Sequence, residues 1–229
     1  MELTSLPQAQ RARRCLFSFV LSTSIDLLLA SPLRRALQTC TLTFAPALSR
    51  GHHIIALPYA EEASDAPCDT GSEPALLRSE FPNISFDHVG AGWWVHEGEY
   101  AFEPAALIAR AAKLRRWIKA RPEKEVVLVA HGFFNHYLTG DVDEKGEQST
   151  PWWDEAELRT YTFEEEGAAF DGGGAEVDGQ DGAAIRETEE SLKRLGSKKG
   201  AGEVRNVNRP GERRNSLSNY GQDGPLVLN

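Results

Sequence analysis

The chain has 229 residues, enough to bury a core within one domain, and its 41% hydrophobic and 26% charged residues strike a globular balance. A formal charge of −9 and a pI near 5.2 exclude an ordinary nucleic-acid binder, because phosphate backbones select for an excess of Lys and Arg. Cys15, Cys40 and Cys68 are odd in number and lack CxxC spacing, which argues against a disulfide framework or zinc site and suits free thiols in a reducing, cytoplasmic setting.

In chain order, "LTSLPQAQRARRCLFSFV" predicts a helix from Thr4 as N-cap, with Pro7 in the first turn, where a missing N–H does no harm. The overlapping "RARRCLFSFVLSTSIDLLLASP" imitates a targeting signal, yet Asp26 interrupts its apolar run well short of the roughly 20 residues a membrane span needs. Its arginines also lie too far from Met1 for a signal peptide, so no membrane partner is expected. "IDLLLAS" reads as a strand buried on both faces, because its apolar run is continuous and does not alternate. In "SPLRRALQTCTLTFAPAL" a helix is expected at once, with Ser31 as cap and Pro32 at the first helical position. "HHIIALP" is a second strand. "EPAALIARAAKLRRWIKARP" spaces Leu107, Ile108, Ala111, Leu114 and Ile118 as a helix face and ends before Pro122, with Arg110, Lys113 and Arg116 expected on a solvated basic face. "EVVLVAH" is a third buried strand, "GFFNHYLTG" another helical start and "ELRTYTF" a short edge strand.

The composition changes near Gly167. Residues 167–229 hold 12 of the 20 glycines and, as aromatics, only Phe170 and Tyr220. Such a segment buries too little apolar surface to offset its ordering entropy, so residues 1–166 are expected to form the domain and 167–229 a disordered tail. Within that tail "AIRETEESLKRLG" could form a short helix, but without an apolar face of useful width.

Strands alternating with helices predict an α/β fold with a parallel, doubly wound sheet, whose ligands sit beyond the carboxyl ends of the strands. His131 stands at such an end, followed by Gly132 and the N–H groups of a helix start, a natural anion site. Arg35 lies one turn into the helix after another strand end, and its side chain leans back toward the same crevice. Arg34, rotated about 100° from it, faces elsewhere. Glu62 follows the third strand end. Arg, His and a carboxylic acid around an anion hole suit phosphoryl transfer: cations neutralise the equatorial oxygens and the acid protonates the leaving oxygen. The expected partner is a phosphorylated small molecule. No cofactor or metal is expected, since His131 and His136 miss the i,i+4 spacing of helical zinc ligands.

"LTSLPQAQ", "SPLRRALQTC", "FAPAL", "IIALPYAEEASDAPCDTGSEPALL", "GWW" with "EGEYAFEP", "HGFFNHYLTGD" and "ELRTYTF", in that order, resemble the histidine phosphatase, or phosphoglycerate mutase-like, superfamily, and within it a fungal-type branch. The resemblance covers nearly all of residues 3–166 and implies a three-layer α/β sandwich that hydrolyses or moves phosphate through a phosphohistidine. By motif Arg35 resembles the family's second phosphate-clamping arginine, His131 its second pocket histidine and Glu62 its proton donor, with Glu61 beside it. The family's nucleophile belongs to an RHG triplet ending the first strand, and no RHG occurs in this sequence. The expectation is therefore an N-terminally incomplete domain, inactive as written: either a truncated reading of a longer phosphatase or a non-catalytic phosphate- or protein-binding pseudoenzyme.

Overall fold

The computed structural model describes residues 24–154, 156–164, 183–199 and 223–228. The helix expected from Thr4 and the part of the apolar stretch behind Arg11 that ends at Thr23 lie outside these residues. Strands β1 (Leu27–Ala30), β2 (Ile54–Ala56), β3 (Ile84–Ser85) and β4 (Val126–His131) run parallel in the spatial order β3-β2-β1-β4. Central β1 pairs Leu28 with Ile54 on one side and Val127 on the other. Successive strand side chains point to opposite faces, so Leu28 and Ala30 enter one hydrophobic layer while Leu27 and Leu29 enter the other. Burial on both faces explains why the strand reads as an unbroken apolar run.

Helix α1 (Arg34–Thr43), the short α2 (Ala45–Leu48) and α3 (Pro74–Glu80) cover the first face through Ala36, Leu37, Cys40, Ala47 and Leu77. Helix α4 (Pro104–Lys119) and α5 (Gly132–Thr139) cover the second through Leu107, Ala111, Leu114, Ile118, Phe134, Tyr137 and Leu138. The result is the three-layer α/β arrangement of a phosphoglycerate mutase-like fold. No helix among the described residues is long and apolar enough to cross a membrane.

Four expectations need correction. Helix α1 begins at Arg34, not at Pro32, because the Ser31 N–H still donates to the Val129 carbonyl at 2.9 Å. The chain must leave that ladder before it can coil, and Ser31 Oγ instead accepts the Leu33 N–H at 3.3 Å. Second, β5 (Arg159–Phe163) is not an edge strand. It lies between β6 (Ile185–Glu187), antiparallel to it, and β7 (Asp223–Leu228), which runs parallel to β5 and antiparallel along the outer edge of β4. Third, the span expected to be disordered therefore contains β6, β7 and helix α6 (Glu189–Lys199). Ala183, Ile185 and Ser191 are buried, and Ser191 Oγ accepts the Thr160 N–H while donating to the Glu187 carboxylate. A composition average over the glycine-rich stretch before them conceals this pairing.

The fourth correction concerns Arg110. It sits three residues after Leu107 and four before Leu114, on the core stripe of α4, and it is buried, as is Arg115. Of the expected basic face, Arg116 is exposed, while Lys113 is half-buried, its Nζ 4.3 Å from the centre of the Tyr59 ring.

Candidate functional site

The carboxyl ends of β1, β2 and β4 lie side by side, Ala30 pairing with Ala56 on one flank and Val129 on the other. His131 is the last residue of β4, and Ser31, Glu61 and Glu62 follow the ends of β1 and β2. His131 is fully buried and extended (φ −128°, ψ 151°) at the N-cap of α5. Arg35, in the first turn of α1, brings its Nη2 to 2.9 Å from His131 Nδ1. A guanidinium can only donate, so Nδ1 is the acceptor and the neutral ring carries its proton on Nε2. Arg35 Nη1 donates to the Cys68 carbonyl at 2.7 Å, and Nη2 lies 2.8 Å from Asp69 Oδ1. One guanidinium thus gathers three chain segments. Its side chain, 23% exposed, is the part of the cluster that faces solvent.

Glu62 is held from two directions. Its Oε1 accepts the Ala63 N–H at 2.8 Å and the Phe134 N–H at 2.9 Å. Phe134 belongs to the first turn of α5, where N–H groups lack helical partners and the dipole favours a negative group. The contact ties the loop after β2 to the helix that His131 opens. Gly132 is the buried first residue of that helix.

Glu61 is fully buried beside it, with Oε1 3.3 Å from His96 Nε2 and Oε2 3.7 Å from Arg110 Nη1. Burial pushes its carboxyl up to about 8, with Arg110 opposing and Asp69 and Glu62 adding to the rise. Burial likewise lowers the Arg110 guanidinium, so the 3.7 Å pairing does not offset the hydration either group has lost. Arg110 Nη2 also donates to the carbonyls of Glu61 at 2.9 Å and Glu62 at 3.3 Å, and its guanidinium lies 4.6 Å over the Phe134 ring. Arg110 thereby fastens the carboxylate-bearing loop onto α5. The His96 ring is lowered by burial and by Arg110.

The other expected positions separate. Arg34 turns away to Glu80 and Ser72. His136 places Nδ1 2.9 Å from both Asp141 oxygens, with the Trp152 ring edge-on beside it. Trp93 and Trp153 are buried in the two core layers, whereas Trp152 is 45% exposed and packs 5.5 Å from Phe133. Among the described residues no group of His, Cys, Asp and Glu could hold a metal ion.

Sequence reasoning missed Asp69 and Arg110. The loop "PCDTGS" carries part of the family resemblance, but nothing in it announces that Asp69 meets Arg35 from thirty-four residues away. Arg110 did carry a signal, since a lone arginine on an otherwise apolar helix stripe must be buried with partners.

The structure thus sets a guanidinium, an imidazole and a carboxyl at the carboxyl edge of one parallel sheet. The model of the histidine phosphatase superfamily (branch 1) matches residues 2–173, and the chain belongs to that superfamily. It is similar to a Schizosaccharomyces pombe protein described as a probable phosphatase, 29% identical over 111 residues, which are 47% of this chain and 51% of that protein. The chain spans about half the length of that curated relative. No solved structure matches it.

Proposed function

We propose that Arg35, His131 and Glu62 bind the phosphoryl group of a phosphorylated small molecule, in a chain that is by descent a phosphomonoesterase acting through a phosphohistidine. The carrying observation is the 2.9 Å approach of Arg35 Nη2 to His131 Nδ1. In this reading Arg35 and the Gly132 N–H neutralise phosphoryl oxygens and His131 donates from Nε2. Glu62 holds the place of the family's proton donor, a role left unused in a chain that does not cleave the ester. Its Oε1 already accepts two backbone N–H groups, so in an active relative the transferable proton would belong on Oε2.

Because the 229 residues contain no RHG triplet, the same reading has the chain bind phosphomonoesters without turning them over. The similarity to a fission-yeast protein described as a probable phosphatase supports a phosphoryl ligand. Placement in a fungal-type branch rests on "SPLRRALQT" and "PCDTGS". A cytoplasmic protein that engages neither membrane nor nucleic acid completes the proposal, the first on the strength of its free thiols and the second of its net charge of −9. A pseudoenzyme that docks a phosphorylated partner through the same cluster is the second reading, favoured by the retention of Arg35 and His131 in contact.

The test is thermal unfolding of the full chain with increasing inorganic phosphate, together with hydrolysis of p-nitrophenyl phosphate. Phosphate should raise the melting temperature of the wild type, by linkage to the folded state, and should do so far less in Arg35→Ala. Turnover that is lost in His131→Ala would disprove the inactive reading. A melt indifferent to phosphate would disprove the binding site.

A further inference from the structure

Asp69 is the unexplained member of the cluster. Its side chain is 1% exposed, yet among the described residues neither carboxylate oxygen receives an aligned N–H or O–H hydrogen bond. Its stabilisation comes from the Arg35 ion pair and from the weakly donating Cys68 thiol next to it. The Arg35 nitrogen that touches Asp69 Oδ1 at 2.8 Å is the one that touches His131 Nδ1 at 2.9 Å. A phosphoryl group that takes its hydrogen bond from this Arg35 nitrogen does so beside the Asp69 carboxylate, the ion partner of the same nitrogen. Two anionic acceptors facing each other repel, unless one carries a proton and makes the contact an O–H···O bond.

Resting on the phosphate-site reading above, we propose that Asp69 selects the protonation state of the bound anion: it accepts a hydrogen bond from a P–OH group and rejects tetrahedral anions that have none. The ligand class is then a phosphoryl group carrying a proton. Sulfate has the same shape but no proton at neutral pH, and meets the carboxylate as a bare acceptor. No bond to phosphorus forms or breaks in this step, and the proton stays on the ligand oxygen while it is shared with Asp69.

The experiment is calorimetric titration of the full chain at pH 7 and fixed ionic strength with inorganic phosphate, arsenate and sulfate, repeated on Asp69→Asn. Phosphate should bind at least about tenfold tighter than sulfate, the scale of one charged hydrogen bond exchanged for a repulsion. Arsenate is larger than phosphate but also carries an O–H, and should follow phosphate, which separates the proton from size. Asp69→Asn can donate as well as accept, and should bring the phosphate-to-sulfate ratio to within about threefold, chiefly by strengthening sulfate. Equal binding of phosphate and sulfate by the wild type, or an unchanged ratio in Asp69→Asn, overturns the proposal while leaving the phosphate site standing. Binding of neither anion overturns the site and the proposal together. Should Asp69→Asn fail to fold, the wild-type ratio decides alone.

Discussion

Replacing Glu61 by Gln should stabilise the protein, and by an amount that depends on pH. In the unfolded chain this carboxyl ionises near its ordinary 4.5, in the folded chain near 8. Between those values the unfolded state releases a proton that the folded state keeps, so stability falls as pH rises across the window and levels off above it. At about 1.4 kcal/mol per pH unit, the interval from 4.5 to 8 sets a ceiling of about 5 kcal/mol. Gln keeps the size of the side chain and an acceptor for His96 Nε2 without ever ionising. Below pH 8 Arg110 already faces a largely neutral acid, so the substitution does not strip it of a counter-charge. Urea unfolding should give equal stabilities for wild type and Glu61→Gln near pH 4.5, with the variant gaining on the order of 3–5 kcal/mol by pH 8. A difference that is flat across this range, or a variant less stable at pH 8, would show that burial does not dominate the Glu61–Arg110 pair.

Phe134→Ala removes a fully buried ring from between Arg110 and the second core layer, and should lower the unfolding free energy in urea by about 3–5 kcal/mol. Gly140 closes α5 with φ 74°, so Gly140→Ala should cost about 1–2 kcal/mol, read as a lower melting temperature with unchanged helical circular dichroism. Cys40 is fully buried and its thiol is pushed far up by burial, while Cys68 is exposed. Iodoacetamide followed by mass spectrometry should therefore modify Cys68 in the native protein and Cys40 only after unfolding.

What the sequence disclosed is what short-range pattern controls. The unbroken "LLLA" of β1 and "VVLVAH" of β4 read as buried strands because both faces of each are covered. Arg35 and His131 could be set at one crevice because strand ends in a parallel sheet collect on one side and a helical side chain leans toward its N-terminus. What stayed hidden depends on partners distant in the chain. Neither flanking strand of β5 could be inferred from "ELRTYTF", because one lies more than twenty and the other more than sixty residues downstream. The start of α1 depends on the Val129 carbonyl holding Ser31 in the sheet. Arg110 reads as solvated from its charge although its position on the apolar stripe buries it, and Asp69 acquires meaning only once Arg35 is folded against it.

The most direct measurement follows the ring nitrogens of His131 by nitrogen NMR while the full chain is titrated with inorganic phosphate, in the wild type and in Arg35→Ala. The predicted result is a saturable shift of the His131 resonances that weakens by an order of magnitude or more when the guanidinium is removed. His131 resonances that ignore phosphate, or that respond equally well without Arg35, would contradict the claim that these two side chains grip one anion.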